Sequence, residues 1–167
     1  MTRIIIPIFL TILFFHSSFS AQKMLYNTKS KKAIKYFEKA LTCFNTIDPV
    51  SGKSDLSGAE EFLEKAFTKD SLFVEAYSLA SKICIEKGDI HKAIYLKEKM
   101  IVISSVVPII EYFFLAGMQM SIGDYKGCLK NASHYRKSPL AKERFLENID
   151  RMINNCVFAL DAIQNPV

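Results

Sequence analysis

The sequence lacks the patterns on which most enzymes and metal proteins depend. Histidine is scarce, with 3 residues in a chain of 167, and no Ser/His/Asp order or glycine-rich phosphate loop occurs. The acidic residues Glu60, Glu61 and Glu64 are typical of a polar helix face rather than of an acid–base pair. The four cysteines show no Cys-x-x-Cys and no Cys/His ligand spacing, which argues against a structural zinc site. We therefore predict a protein that is not an enzyme and has no catalytic residues, metal or cofactor.

The sequence also lacks the residue pattern that is typical of nucleic-acid-binding proteins. The chain is basic, with a formal net charge of +5, but its basic residues do not interleave with aromatic residues as they do in a nucleic-acid groove. We therefore expect no nucleic acid among its partners. A cluster of five lysines at helical spacing contains Lys29, Lys31, Lys32, Lys35 and Lys39. We favour a solvated helix face as the interpretation of this cluster, and peripheral attraction to an anionic surface of the cell envelope is the alternative.

The N-terminus has the three parts of a secretory signal peptide. A single basic residue, Arg3, precedes an apolar run over residues 4–15, and small residues follow that run. Ser20 suits a signal peptidase, so we place the signal at residues 1–20, with cleavage after Ala21 as the alternative. A retained membrane anchor is the competing interpretation, but the run is shorter than the roughly 20 residues that a membrane-spanning helix needs. The sequence therefore predicts export, to the periplasm or to the outer membrane.

The middle of the chain repeats itself. The dipeptide Gly88-Asp89 recurs as Gly123-Asp124, and each lies between two stretches with the apolar periodicity of a helix. Glycine ends a helix easily in the left-handed conformation and aspartate caps the next helix, so each dipeptide predicts a tight turn between two helices. Two helices joined by so short a turn cannot bury their apolar faces alone, which predicts a stack of copies.

Aromatic and small residues recur in register in three copies. The repeated positions hold Tyr36, Tyr77 and Tyr112, then Ala40, Ser81 and Ala116, then Ala59, Ala93 and Cys128. The first copy has about seven extra residues between its helices, which we place in the turn-rich stretch 48–55. The predicted copies span residues 30–73, 74–107 and 109–142.

This period and these positions resemble the tetratricopeptide repeat, a helix–turn–helix unit of about 34 residues. The resemblance implies an all-α fold: a tetratricopeptide-type superhelix of about three repeats and a C-terminal capping helix, in a domain over residues 21–163. The chain departs from the family in lacking the proline between repeats, where Ser71 and Ser105 stand. It also has Lys97 and Met100 where the family has an aromatic residue and alanine.

Two helices are predicted at the ends of the repeat block. Residues 24–44 have the pattern of one long first helix. Ser138-Pro139 suits an N-cap and a first helical turn, and thus predicts a capping helix over residues 139–163, followed by a tail over 164–167. The apolar stripe of the capping helix contains Leu140, Phe145, Ile149, Met152, Ile153, Cys156 and Leu160. This stripe is predicted to cover the apolar face of the last repeat.

The cysteines allow two interpretations. Cys43, Cys84, Cys128 and Cys156 stand at repeat positions that small apolar residues usually fill, so we favour free, buried thiols. An even number of cysteines in an exported chain also permits disulfides. If a bond forms, Cys128–Cys156 is the expected pair, because the second helix of the third repeat is predicted to pack on the capping helix.

The C-terminal stretch over residues 155–167 adds a second resemblance. It is similar to the junction in a family of exported Bacteroidota proteins, in which a tetratricopeptide block leads into a β-propeller and an outer-membrane-protein-A-like peptidoglycan-binding domain. That family includes the PorE-like component of the type IX secretion system. The resemblance implies that this chain is the tetratricopeptide part, and no glycan-binding residue of the family has a counterpart here.

The tetratricopeptide resemblance also implies where a partner binds. In that family the first helix of each repeat lines a concave groove, which suits an extended segment or helix of another protein. The matching positions, our predicted groove residues, are Phe37, Leu41, Phe44, Ser78, Lys82, Ile85, Phe113 and Met120. Packing of Phe37, Phe44 and Phe113 against neighbouring helices is the alternative.

These resemblances lead to one expected function and one alternative. We expect an exported scaffold or adaptor that holds a protein or peptide segment in the cell envelope, linked to type IX secretion or to an outer-membrane peptidoglycan-associated assembly. The alternative is a cell-wall-tethered structural module that lacks its propeller and peptidoglycan-binding domains.

Overall fold

The computed structural model describes residues 26–165 and is all-helical, as predicted. Its α-helices are α1 (Lys31–Asn45), α2 (Leu56–Phe67), α3 (Val74–Glu86), α4 (Ile90–Ile103), α5 (Ile110–Ser121), α6 (Tyr125–Lys137) and α7 (Leu146–Gln164). A short 3-10 helix, Glu143–Phe145, precedes α7. The predicted signal peptide and the end of the predicted tail lie outside the described residues. Within 26–165, no helix is both long and apolar enough to span a membrane.

Helices adjacent in sequence pack together as pairs. The first pair is α1 and α2, the second is α3 and α4, the third is α5 and α6, and α7 packs along α6. The small residues at the repeated positions are 0 % exposed: Ala40, Ser81, Ala116, Ala59, Ala93 and Cys128. Small side chains allow close approach of helices, so these positions set where the helices of each pair meet.

The two Gly-Asp dipeptides form the predicted turns. Gly88 and Gly123 adopt φ values of 79° and 78°, a region that glycine enters without the steric cost of a Cβ. Asp89 then caps α4 by accepting a hydrogen bond from the backbone N–H of Lys92, and Asp124 caps α6 in the same way. The same dipeptide therefore ends one helix and begins the next in both pairs.

The predicted start of the first helix was wrong. Of the predicted residues 24–44, those described before Lys31 are not helical, and α1 begins there because the Ser30 hydroxyl accepts a hydrogen bond from the N–H of Ala33. The segment before Ser30 contacts the start of α3 instead, where the Asn27 side-chain oxygen accepts a hydrogen bond from the N–H of Val74. Local capping and this long-range contact together outweigh the apolar periodicity of the segment.

The predicted start of the capping helix was also wrong. Ser138 caps the end of α6 rather than the start of the next helix, and its hydroxyl accepts a hydrogen bond from the N–H of Leu140. Pro139 therefore lies in a turn, and Leu140 is 73 % exposed instead of joining the apolar stripe. Phe145 lies in the 3-10 helix, half-buried against Phe113, with ring centroids 4.8 Å apart.

The extra residues of the first copy lie where the sequence predicted. They form most of the connection between α1 and α2, in which Ile47 and Ser54 make an isolated β-bridge. The Asp48 carboxylate accepts hydrogen bonds from the N–H groups of Val50 and Ser51, which stabilises the turn and lowers the pKa of Asp48.

The apolar core is divided into separate clusters. One cluster joins α1, α2 and α3, and its buried residues include Phe37, Leu63 and Phe73. Another joins α5, α6 and α7, and includes Tyr135 and Ile149. A small cluster around Cys84, Ala93 and Leu96 lies between them. The junction between the second and third pairs therefore has less apolar packing than either end of the chain.

Ala116 and Gly117 provide a matched test of helix packing in α5. Ala116 is 0 % exposed, so Ala116→Leu should overpack the third pair and lower the free energy of unfolding by about 1–3 kcal/mol. A Cβ on Gly117 would meet open space, so Gly117→Ala should raise the free energy of unfolding by about 0.5–1 kcal/mol. Urea denaturation monitored by circular dichroism measures both. Equal effects of the two substitutions would mean that α5 packs in a different register.

Candidate functional site

The predicted groove residues differ in how much surface they offer. Phe37 is only 5 % exposed and packs against Phe73 and Tyr26, with ring centroids 5.0 and 5.5 Å away. It therefore belongs to the core of the first pair, which is the packing alternative given for this residue rather than a place in the groove. Leu41 and Phe44 are half-buried against the same core.

Exposure increases along the second pair. Ser78 is half-buried on α3, Lys82 is exposed, and Ile85 in the last turn of α3 is 43 % exposed. An apolar side chain with this much exposure beside a lysine can contact a partner without any rearrangement of the core. The available part of the predicted surface therefore begins at α3 rather than at α1.

The last two groove residues line a small hollow between α5 and α7. Phe113 and Met120 of α5 face Met152 of α7 across a space of about 190 Å³, and polar residues complete its lining: Asn148, Arg151 and Asn155. An apolar floor with a polar rim is the arrangement found where one protein anchors a side chain of another. The sequence singled out the α5 residues, but it did not predict the contribution of α7.

A larger cleft lies between α4 and α6 and was missed by the sequence analysis. Its volume is about 640 Å³. Residues that line it are Glu98, Ile101, Val102, Tyr112, Leu115, Lys130, Asn131, Ser133, His134 and Lys137. Tyr112 and Leu115 of α5 form its floor, and the Tyr112 ring packs at an angle of 44° against His134, with centroids 4.1 Å apart. The cleft shares no residue with the predicted groove.

A hydrogen-bonded chain of polar side chains runs beneath this cleft. The Asn131 side-chain amide donates to the Gln119 side-chain oxygen at 2.7 Å, and the Gln119 amide donates to the Glu98 carboxylate at 3.3 Å. Gln119 and Asn131 are only 3 % and 7 % exposed. Buried amides are costly unless they are paired, and here each amide provides a partner for the other.

A buried ion pair lies at the same junction. The Lys97 Nζ atom is 2.8 Å from a carboxylate oxygen of Glu111, and the two side chains are only 6 % and 18 % exposed. This contact explains why a lysine can be buried at this position. It joins α4 of the second pair to α5 of the third pair across the weakly packed junction.

Two of the cysteines meet inside the C-terminal core. Cys128 of α6 and Cys156 of α7 are both 0 % exposed free thiols in one apolar cluster. Burial, and then the neighbouring Cys156 thiol, raise the pKa of Cys128 from 9.0 to about 12. This is the pair that the sequence analysis expected if a disulfide forms, and in the structure both thiols are free. The raised pKa makes the Cys128 thiol a poor nucleophile in the folded protein.

The raised pKa predicts an alkaline loss of stability under reducing conditions. Between pH 9 and about 12 the unfolded chain loses the Cys128 proton while the folded chain keeps it. Stability should therefore fall as the pH rises through this range. The Cys128→Ala variant should show a shallower fall, measured by urea denaturation at each pH. Parallel profiles for the variant and the natural protein would contradict the burial of this thiol.

No model of a known protein family matches the chain, and no curated protein matches it either. The interpretation of its function therefore depends on the surfaces described above and on the repeated residues of its own sequence.

Proposed function

We propose that the protein is an exported scaffold or adaptor that binds a segment of a partner protein in the cell envelope. In this proposal the three helical pairs and α7 form a tetratricopeptide-type superhelix, with type IX secretion or an outer-membrane peptidoglycan-associated assembly as its setting. The repeated small residues, all buried where paired helices meet, support this type of repeat. The two Gly-Asp turns support it as well.

The hollow between α5 and α7 is the observation that carries the binding proposal. Its floor of Phe113, Met120 and Met152 is apolar, and its volume of about 190 Å³ suits one large side chain. Ile85 on α3 adds a second apolar contact. A few well-packed anchors dominate the binding energy of most interfaces, so a filled hollow and one further apolar contact are consistent with a peptide-sized partner.

A photo-crosslinking amino acid at position 120 tests the binding proposal in envelope extracts of the source cell. We expect one discrete adduct, which Met152→Glu should abolish because it places a charge in the apolar floor. Val50→Glu is the matched control, since Val50 is 94 % exposed in the connection between α1 and α2. An adduct that survives Met152→Glu, or no adduct at all, would refute the groove and favour the structural-module alternative.

Export has its own test. Mass spectrometry of the protein from the periplasmic or outer-membrane fraction should find an N-terminus at Ala21 or Gln22, because the signal peptide is predicted to be removed there. A mature protein that retains Met1 would contradict export by this signal.

A further inference from the structure

The cleft between α4 and α6 can be compared with a second cleft in the same chain. The second pair forms an equivalent cleft between α2 and α4, with a volume of about 210 Å³. Its lining residues are Glu60, Leu63, Glu64, Phe67, Ala80, Cys84, Lys92 and Leu96. The shift of 34–35 residues that relates the copies makes four lining positions coincide: Glu64 with Glu98, Phe67 with Ile101, Ala80 with Leu115 and Leu96 with Asn131. Differences at these positions are differences between copies of one unit.

Two buried apolar positions of the smaller cleft are occupied by amides in the third pair, one of which lines the larger cleft. Cys84 corresponds to Gln119 and Leu96 corresponds to Asn131. The unit can therefore be built with an apolar interior, and the amides are not needed for folding. Gly127 makes room for them, because a Cβ at that position would lie 2.5 Å from the side-chain nitrogen of Gln119. Buried amides that replace apolar residues of the preceding copy, beside a cleft of about 640 Å³, point to a ligand.

The charges around the larger cleft indicate the sign of that ligand. Lys130, His134 and Lys137 line its α6 side, and none of them takes part in an ion pair among residues 26–165. Glu98 is the one acidic residue of the lining, and its carboxylate already accepts a hydrogen bond from Gln119. The cleft therefore attracts carboxylates.

The apolar residues of the lining indicate that the ligand carries apolar groups as well as negative charge. Leu115 on the floor is buried, while Ile101 is half-buried and Val102 is 82 % exposed on the α4 side. An apolar strip opposite a basic strip suits a chain that alternates acidic and apolar side chains. An extended peptide has this geometry, because successive side chains point to opposite sides of its backbone.

We propose that the cleft between α4 and α6 binds an extended acidic peptide segment of a partner protein. Its carboxylates contact Lys130 and Lys137, and its apolar side chains contact Ile101, Tyr112 and Leu115. The Asn131 amide lies within the cleft, where it forms a hydrogen bond with a backbone group of the peptide. The site is independent of the predicted groove, so either proposal can fail without the other.

Selection from a displayed library of random seven-residue peptides tests this proposal on the full chain. We expect the selected peptides to be rich in Asp and Glu, with apolar residues between them. A synthetic copy of one selected peptide should bind Lys130→Glu/Lys137→Glu about tenfold or more weakly than the natural protein. Lys126→Glu/Lys142→Glu is the matched control, because it makes the same change in net charge at exposed positions outside the cleft.

A second variant separates binding from folding. Gln119→Met/Asn131→Leu gives the larger cleft the apolar interior of the smaller one, so it should keep or raise the thermal stability while losing the peptide. No enrichment of acidic peptides would overturn the proposal, as would equal losses in the two charge variants. Displacement of the peptide by glutarate at a similar concentration would also overturn it, because the site would then recognise a carboxylate alone.

Discussion

Replacing Tyr135 by alanine is expected to lower the free energy of unfolding by about 3–5 kcal/mol, the range for removal of a fully buried aromatic side chain. Tyr135 is 0 % exposed and is the largest of the fully buried side chains. Its ring lies 5.6 Å from that of Phe113, within the cluster that joins α5, α6 and α7. The loss would be a large part of the stability of a typical domain, which is about 5–15 kcal/mol. Urea denaturation of the variant measures it.

Tyr135→Phe is the matched control for this experiment. It keeps the ring and removes only the hydroxyl, which accepts a hydrogen bond from the N–H of Lys142 at 2.9 Å. Lys142 is exposed, so water can replace the lost acceptor and the expected cost is about 0.5–1.5 kcal/mol. If the alanine variant lost no more stability than the phenylalanine variant, the ring would not be packed as described.

Removing the charge of Glu111 is expected to have an effect of similar size. Glu111→Gln leaves the buried Lys97 ammonium without its counter-charge, and breaking a buried pair in this way costs about 3–5 kcal/mol. Lys97→Met should cost less, because the Glu111 side chain is the more exposed partner at 18 % and can be hydrated. Urea denaturation of both variants measures the difference between their losses of stability.

The double variant Lys97→Met/Glu111→Gln completes the cycle. It removes both charges, so it should recover most of the stability lost in Glu111→Gln. An additive loss in the double variant would mean that the two side chains do not interact in solution. Arg136 and Asp150 offer a comparison, since their ion pair is about half exposed and should contribute no more than about 1 kcal/mol.

Features with a local physical cause were predictable from the sequence. A glycine at positive φ followed by an aspartate cap is a property of two adjacent residues, so both turns and the helices around them were placed correctly. The extra stretch 48–55 was recognised by its turn residues for the same reason. Helical periodicity located the small residues that lie where paired helices meet.

Features that depend on a competition between neighbouring residues were not predictable from the sequence. Ser30 and Ser138 are both good caps, but one begins a helix and the other ends one. The choice at Ser138 depends on the turn that follows it, where the N–H of Lys142 donates to the distant Tyr135 hydroxyl. Periodicity extended one helix backwards past Ser30, and the Ser138-Pro139 cap pattern began the other too early.

The candidate sites were least predictable, because each is built by more than one element. Phe37 has the spacing of a groove residue, but Phe73, from outside its own helix, covers it. The hollow beside Met120 requires α7, and the cleft requires α4 and α6 over α5. The amides Gln119 and Asn131 gave a usable signal that was missed: two polar residues at positions where the preceding copy has Cys84 and Leu96.

The division of the apolar core determines how cooperatively the chain unfolds. Elements that share one apolar cluster lose their stability together, whereas elements joined by a thin interface can open one at a time. The cluster around Phe73 and the cluster around Tyr135 are separated by a junction in which an ion pair and amides replace much of the apolar contact. We therefore expect the two ends of the chain to behave as separate cooperative units, with amide hydrogens in α1 and α2 exchanging through openings that leave α6 and α7 intact.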